Sequence, residues 1–248
     1  MIVLLPPSET KRSGGDGPPL RLKKLSTPAL TPLRTELLGD LADLAADPPA
    51  CRAALGISPA QDEEITRNAT LRTAPTMPAI HRYTGVLYDA LDIGSLTGAA
   101  ARRANARLAI GSALFGLLRA DDMIPAYRLS AGSKLPGRPG LAARWRPVLE
   151  PVLAGLAAEE LIVDLRSGAY VGLGRITPAV RVDVLAEKSD GTRSVVSHFN
   201  KAHKGRLARA LAGTAAEPDS AAGVAAVARK AGMRVEREGD DLTIVVPA

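Results

Sequence analysis

The chain has 248 residues, 46% of them apolar, and a formal net charge of +6 from 32 Lys and Arg against 26 Asp and Glu. That length and balance suit a folded protein with a substantial core and exclude a disordered one, while the positive charge favours acidic partners such as nucleic acid, nucleotides or anionic metabolites. The single cysteine, Cys51, excludes an intrachain disulfide and a cysteine-built zinc or iron–sulfur centre, and no run approaches the ~20 apolar residues of a membrane span.

"MIVLL" is a short apolar run halted by Pro6 and Pro7, too short for a signal-peptide core, and predicts a buried first strand delivering the loop "PPSETKRSGGDGPP". Three helix starts follow, "TPLRTELLGDLADLAAD", "DPPACRAALG" and "SPAQDEEITRNATLR", each with a capping residue and then a proline. "IHRYTGVLYDALD" predicts an extended piece turning at Thr84 and Gly85 into a helix, and "SLTGAAARRANA" a helix capped at Ser95. "RLAIGSALFGLL" predicts a strand running into a glycine turn, and "YRLS" a short strand. "LAARWRPVLEPVLAGLA" has helical spacing, with Pro147 and Pro151 expected to bend or segment it. "ELIVDL" is a buried-type strand.

From there the pattern reads as antiparallel: "AVRVDVLAEK" alternates, "SDGT" turns and "RSVVSHF" alternates back. A basic helix follows with Asn200 as N-cap. "SAAGVAAVARKAG" is a last helix stopped by Gly232, and "MRVEREGDDLTIVVP" a closing hairpin. The succession predicts a mixed α/β fold of the α+β kind over residues 1–248, one domain with a mixed, partly antiparallel sheet and helical insertions.

All seven aromatic residues fall between Tyr83 and Phe199. Tyr88, Phe115, Trp145 and Phe199 read as the bulky centre of the core, whereas Tyr83, Tyr127 and Tyr170 stand beside Gly, Arg or Ser and can line a cleft with their hydroxyls. Two stretches lack carboxylates: Met123 to Leu149, with Arg128, Lys134, Arg138, Arg144 and Arg146, and Ser197 to Leu211, with Lys201, Lys204, Arg206 and Arg209. Bordering one groove they form a strip for phosphates; on separate faces they are solvated charges. On the basic helix Lys201, Lys204 and Arg209 share an arc, with Leu207 and Leu211 docking it from the next. His198 and His203 are poorly spaced for a shared metal, and His81 is the third and last histidine, so no metal site and no cofactor is expected. "GSALFG" lacks the Lys-Ser/Thr of a phosphate loop, "GAYVGLGRIT" lacks the third glycine of a dinucleotide fingerprint, and no "GxSxG" occurs.

"LLPPSETK", "YTGVLYDAL", "LFGLLRADDMIPAYRL", Trp145, "VDLRSGAY" and "VVSHFNKAHKGRLAR" occur in the order and spacing of the YaaA family of peroxide-stress proteins, which the chain resembles from Met1 to about Arg209. The resemblance implies a bacterial cytoplasmic protein that limits oxidative damage, associated with lowered free intracellular iron. It also implies non-specific binding of double-stranded DNA through a basic cleft and a helix-hairpin-helix-like element, which falls on "IGSALFGLLRADDM". Gly116 suits such a hairpin, whereas Leu118 stands where its second glycine belongs, and a tight strand-to-helix turn packed inside the protein accounts for Gly116 equally. Carried over residue by residue, the pattern falls on Ser8, Lys11, Tyr83, Gly85, Gly116, Arg119, Tyr127, Arg128, Lys201, Gly205 and Arg209. Asp164 stands where an amide is familiar, and Lys204 where an arginine is.

Two functions follow. In one, Lys11, Arg119, Arg128, Lys201, Lys204 and Arg209 hold DNA phosphates while tyrosines stack on exposed bases. In the other, the cleft takes a small anionic ligand, a nucleotide or phosphorylated metabolite, as an enzyme site with Lys11 or Tyr83 as acid–base or nucleophile. Cys51 reads as a small apolar packing residue in either.

Overall fold

The computed structural model describes residues 1–195 and 199–248. Its first strand, β1 (Ile2–Leu5), is buried at all four positions, as a strand covered on both faces must be. The chain then makes a long loop and the helices α1 (Thr31–Leu44), α2 (Pro48–Leu55) and α3 (Glu63–Ala69). Asp47 caps α2 by accepting from the Ala50 amide at 3.1 Å, and Gly56 ends it in the left-handed conformation. A two-residue strand β2 (Met77–Pro78) precedes α4 (Ala79–Arg82), α5 (Val86–Leu91) and α6 (Gly98–Arg107). Residues 79–82 are thus a helical turn rather than extended, and α6 begins after Thr97 instead of Ser95.

Next come β3 (Leu108–Ser112), β4 (Gly116–Arg119), β5 (Met123–Ile124), α7 (Leu141–Glu159), β6 (Ile162–Asp164), α8 (Gly168–Val171), β7 (Val180–Glu187) and β8 (Arg193–Val195). The chain closes with α9 (Phe199–Gly213), α10 (Ala221–Lys230), β9 (Val235–Glu238) and β10 (Asp241–Pro247). Two expectations change here. The "YRLS" stretch is irregular, fixed by Asn68, whose amide donates to the Arg128 carbonyl at 2.8 Å and accepts from the Arg128 amide at 2.9 Å. Helix α7 is continuous through Pro147 and Pro151, because both prolines lie on its exposed side, where the carbonyls left without N–H partners meet water.

The main sheet is eight-stranded among the described residues, in the order β4-β3-β1-β6-β7-β10-β9, with β8 also on β7. It is mixed, as expected, but differently distributed. Strand β7 runs parallel to β6 and β10, and the antiparallel pairs are β3 with β4, β7 with β8, and β9 with β10. The alternation along β7 reflects one exposed face, with Arg181 and Asp183 outward and Val182 and Val184 inward, and does not require antiparallel neighbours. The expected second strand "RSVVSHF" is present as β8, and its residues Val196, Ser197 and His198 lie outside the described residues.

From β1 the chain moves to β3 on one side, and from β6 to β7 on the other. Reversals of this kind leave a crevice outside the carboxyl ends of the two central strands, here β1 and β6. Helix α9 crosses beside it, packed on β1, β7, α5, α6 and α10, with Leu207 and Leu211 buried as its docking residues. Among the described residues no helix is long and apolar enough to cross a membrane.

Candidate functional site

The crevice is a cleft of about 780 Å³. One wall is the loop leaving β1, from Pro6 to Thr10; the second is Thr84 to Tyr88 at the head of α5; the third is Leu165 to Tyr170 after β6. Asn200, Lys201 and Lys204 of α9 and Asp183 of β7 close it. Segments far apart in sequence meet here because β1 and β6 are direct neighbours, with Leu4 opposite Asp164.

The first wall is fixed by short polar links. Ser8 Oγ donates to the Thr10 carbonyl, and Thr84 Oγ1 donates to Thr10 Oγ1 at 3.1 Å. Gly85, at φ +93°, carries the chain past Thr10 into α5, a conformation that favours glycine. Tyr88 donates from its hydroxyl to the Pro6 carbonyl at 2.9 Å, so its ring borders the cleft with its polar end already satisfied.

The third wall explains Asp164. Its carboxylate takes Arg166 Nε at 2.9 Å and Nη2 at 2.8 Å, with the Arg166 amide at 3.1 Å, and both side chains are buried. The Asp164 charge is therefore neutralised by an arginine two residues on, in a fork geometry that lysine cannot reproduce. Lys204 donates to the Leu165 carbonyl at 3.3 Å, leaving donor capacity toward the cleft. Burial pulls the Lys204 ammonium below its usual range, against Asp183 and Asp164, which pull it up. Burial also pushes the Tyr170 phenol up to about 12, so its hydroxyl stays protonated and able to donate.

Of the residues singled out from sequence, Ser8, Gly85, Lys201 and Lys204 line the cleft, with Lys201 exposed at its mouth. Gly205 sits behind them, where a Cβ would stand 2.2 Å from the Leu87 carbonyl oxygen; its absence lets α9 and α5 touch. Tyr83 and Tyr127 are buried beneath the first wall, hydroxyls 2.8 Å apart, with Tyr127 2.8 Å from Ser112 Oγ. Burial raises the Tyr83 and Tyr127 phenols well above their usual range. Lys11 lies with them, its Nζ 4.2 Å from the centroid of the Tyr127 ring. Of the three tyrosines expected to line a cleft, Tyr170 does so while Tyr83 and Tyr127 do not, and Tyr88, read as core, borders the cleft as well. Arg166 was not singled out, and its position just after a strand end was the signal available in the sequence.

Arg119, Arg128 and Arg209 are engaged within the protein. Arg128 pairs with Glu9 at 2.9 Å, and Arg119 donates to the Ala106 carbonyl. Arg209 holds the end of α5 through the Leu91 and Asp92 carbonyls at 3.0 and 2.7 Å. In the acid-free stretch, Arg138 and Arg144 both reach Asp40 at 2.7 Å, and Arg146 donates to the Gly172 carbonyl at 2.9 Å. The two basic stretches therefore do not join into one strip, and the cleft itself carries both signs: Arg166, Lys201 and Lys204 against Glu9 and Asp183.

The segment expected to be helix-hairpin-helix-like is a β-hairpin, β3 turning into β4. Gly116, at φ +73°, faces inward, where a Cβ would lie 2.5 Å from the Trp145 ring, and Trp145 donates to the Ala113 carbonyl at 2.8 Å. Buried Arg34 clamps the hairpin through the Phe115 and Leu117 carbonyls at 2.9 and 2.7 Å. These carbonyls, and the Phe115 amide that donates to Ser112 Oγ at 3.0 Å, are committed inside the protein and are not presented to phosphate. Among the described residues no group of three or more His, Cys, Asp or Glu is arranged to hold a metal ion, and Cys51 is buried in α2.

Residues 1–236 match the family model described as peroxide stress protein YaaA. A UPF0246 protein of Corynebacterium efficiens is 53% identical over 99% of this chain and 100% of its own length. A UPF0246 protein of Streptomyces coelicolor is 45% identical over 96% of this chain and 93% of its own, and an uncharacterized protein of Campylobacter jejuni is 30% identical over 84% and 82%.

Proposed function

Because the chain belongs to the peroxide stress protein YaaA family, we propose that it serves peroxide-stress protection in the cytoplasm by binding, and acting on, a small phosphorylated or nucleotide-like molecule in the cleft beyond β1 and β6. The observation that carries this reading is the convergence of segments far apart in sequence on one concavity of about 780 Å³ at the carboxyl ends of parallel strands. Concavities of roughly 300 to 1,000 Å³ in that position suit small ligands. Lys201 at the mouth draws the anion in. Lys204, partly desolvated, is the cation with donor capacity for a phosphoryl oxygen and the side chain best placed to exchange a proton there. Tyr88 and Tyr170 border an organic moiety, and Glu9 and Asp183 offer acceptors to its donor groups.

Calorimetric titration with inorganic phosphate, pyrophosphate and nucleoside mono-, di- and triphosphates tests this. At least one binds at 1:1, and Lys204→Met weakens it about tenfold or more, the loss of one charged hydrogen bond of about 1.5 kcal/mol. Absence of binding by the whole panel overturns it.

A second reading, non-specific binding of double-stranded DNA with the associated lowering of free iron, draws on the net charge of +6 and the exposed Lys201. With Arg119, Arg128 and Arg209 engaged internally, binding through this cleft leaves Lys201 and Lys204 for phosphates. The slope of log K against log salt is then about −1.8, against about −3.6 for four contacts.

A further inference from the structure

We propose that Lys11 is a positioning residue: while charged it props the Ser8–Thr10 wall of the cleft from behind, and on losing its proton it lets that wall loosen. The inference rests on the reading of this cleft as the ligand site. From β1 the chain passes through Pro6 to Thr10 along the cleft, and Lys11 then turns inward to make an isolated antiparallel bridge with Tyr83. Its Nζ reaches back under the wall, donating to the Ser8 carbonyl at 2.9 Å and the Glu9 carbonyl at 3.3 Å. Among the described residues no other donor bonds either carbonyl. The ammonium also lies over two aromatic rings, 4.2 Å from the Tyr127 centroid and 5.4 Å from that of Tyr83.

Every element packed on this amine contributes to its electrostatics. Glu9 faces it from the wall, Glu64 and Arg67 from α3, and Arg128 from the segment after β5. The Tyr83 and Tyr127 hydroxyls beneath it are kept neutral by burial and bond to each other and to Ser112. Desolvation dominates and brings the Lys11 pKa down to about 7; Glu64 and Glu9 pull it up, and Arg128 and Arg67 push it further down. The amine therefore changes charge across the ordinary range of cellular pH. Charged, it makes two charge-assisted hydrogen bonds and a cation–π contact; neutral, it loses the second and weakens the first. The consequence falls on Ser8 and Glu9, whose carbonyls the two bonds hold, and through the Glu9 peptide on Thr10.

Backbone amide NMR of the whole protein between pH 5.5 and 9 reads this without a ligand. The Ser8, Glu9 and Thr10 resonances of the wild type move with a midpoint near 7. In Lys11→Met they stay near the wild-type high-pH positions throughout, and in Lys11→Arg they do not titrate. A midpoint that survives in Lys11→Met, or no wild-type titration, overturns the proposal. Sulfate, which stays a dianion over this range, is the cleft probe. Wild-type affinity falls about three- to tenfold from pH 6 to 8.5, as expected for weakening a charge-assisted contact, and that fall is absent in Lys11→Met. An equal fall in Lys11→Met assigns the dependence to another group and overturns the prop. Amide titration without sulfate binding at any pH counts against the cleft as the anion site and leaves the prop standing.

Discussion

Asp164 and Arg166 show how a buried charge is balanced by its neighbour. A lone carboxylate at the end of β6 has no water to stabilise it; the bidentate arginine and the Arg166 amide supply what solvent would. Asp164→Asn leaves a buried guanidinium uncompensated and is expected to lower unfolding free energy by about 3 kcal/mol, whereas Asp164→Asn with Arg166→Ala recovers most of it. Chemical denaturation of the three variants measures the coupling. Additive losses contradict it. Asp164 stood out in the sequence, but its partner did not, because nothing in "VDLRSGAY" says that the arginine folds back on its own strand end. Lys11 was legible in the same partial way: its place after a buried strand marked it, while its position behind the wall depends on Tyr83 and Tyr127, which are distant in sequence.

At the scale of elements, apolar runs and caps carried far. Strand β1, the helices α1 to α3 and the β9–β10 hairpin follow from local patterns, since each is set by its own periodicity and terminal residues. The parallel placement of β7 was not legible, because an alternating strand has the same pattern whichever way its neighbours run. The β3–β4 hairpin shows a second limit. Gly116 read equally as a phosphate-facing turn or as a turn packed inside, and the side chain that decides for packing, Trp145, comes from α7. Gly116→Ala is expected to cost about 3 kcal/mol through positive φ and overlap with the indole, while leaving the DNA affinity of the folded fraction unchanged. A folded, stable variant with selectively reduced DNA binding contradicts the packing role. Gly205 is legible only in the same way, from the Leu87 carbonyl it admits.

Across the whole molecule, net charge is a weak guide to where uncommitted cations gather. The count of +6 is real, yet most of the arginines picked from the basic stretches are used to tie helices and loops to one another, as Arg144 ties α7 to α1 and Arg209 ties α9 to α5. What remains at the cleft is selected by topology: the reversal between β1 and β6 gathers Ser8, Gly85, Tyr170, Lys201 and Lys204 around one volume. The order of strands, which creates that reversal, is a long-range property that no local stretch encodes. The most direct test is a crystal structure of the protein soaked with pyrophosphate. Density inside the cleft, within hydrogen-bonding distance of Lys204 and Lys201, is the predicted result. Pyrophosphate bound only at outward-facing arginines, with the cleft holding water alone, contradicts it.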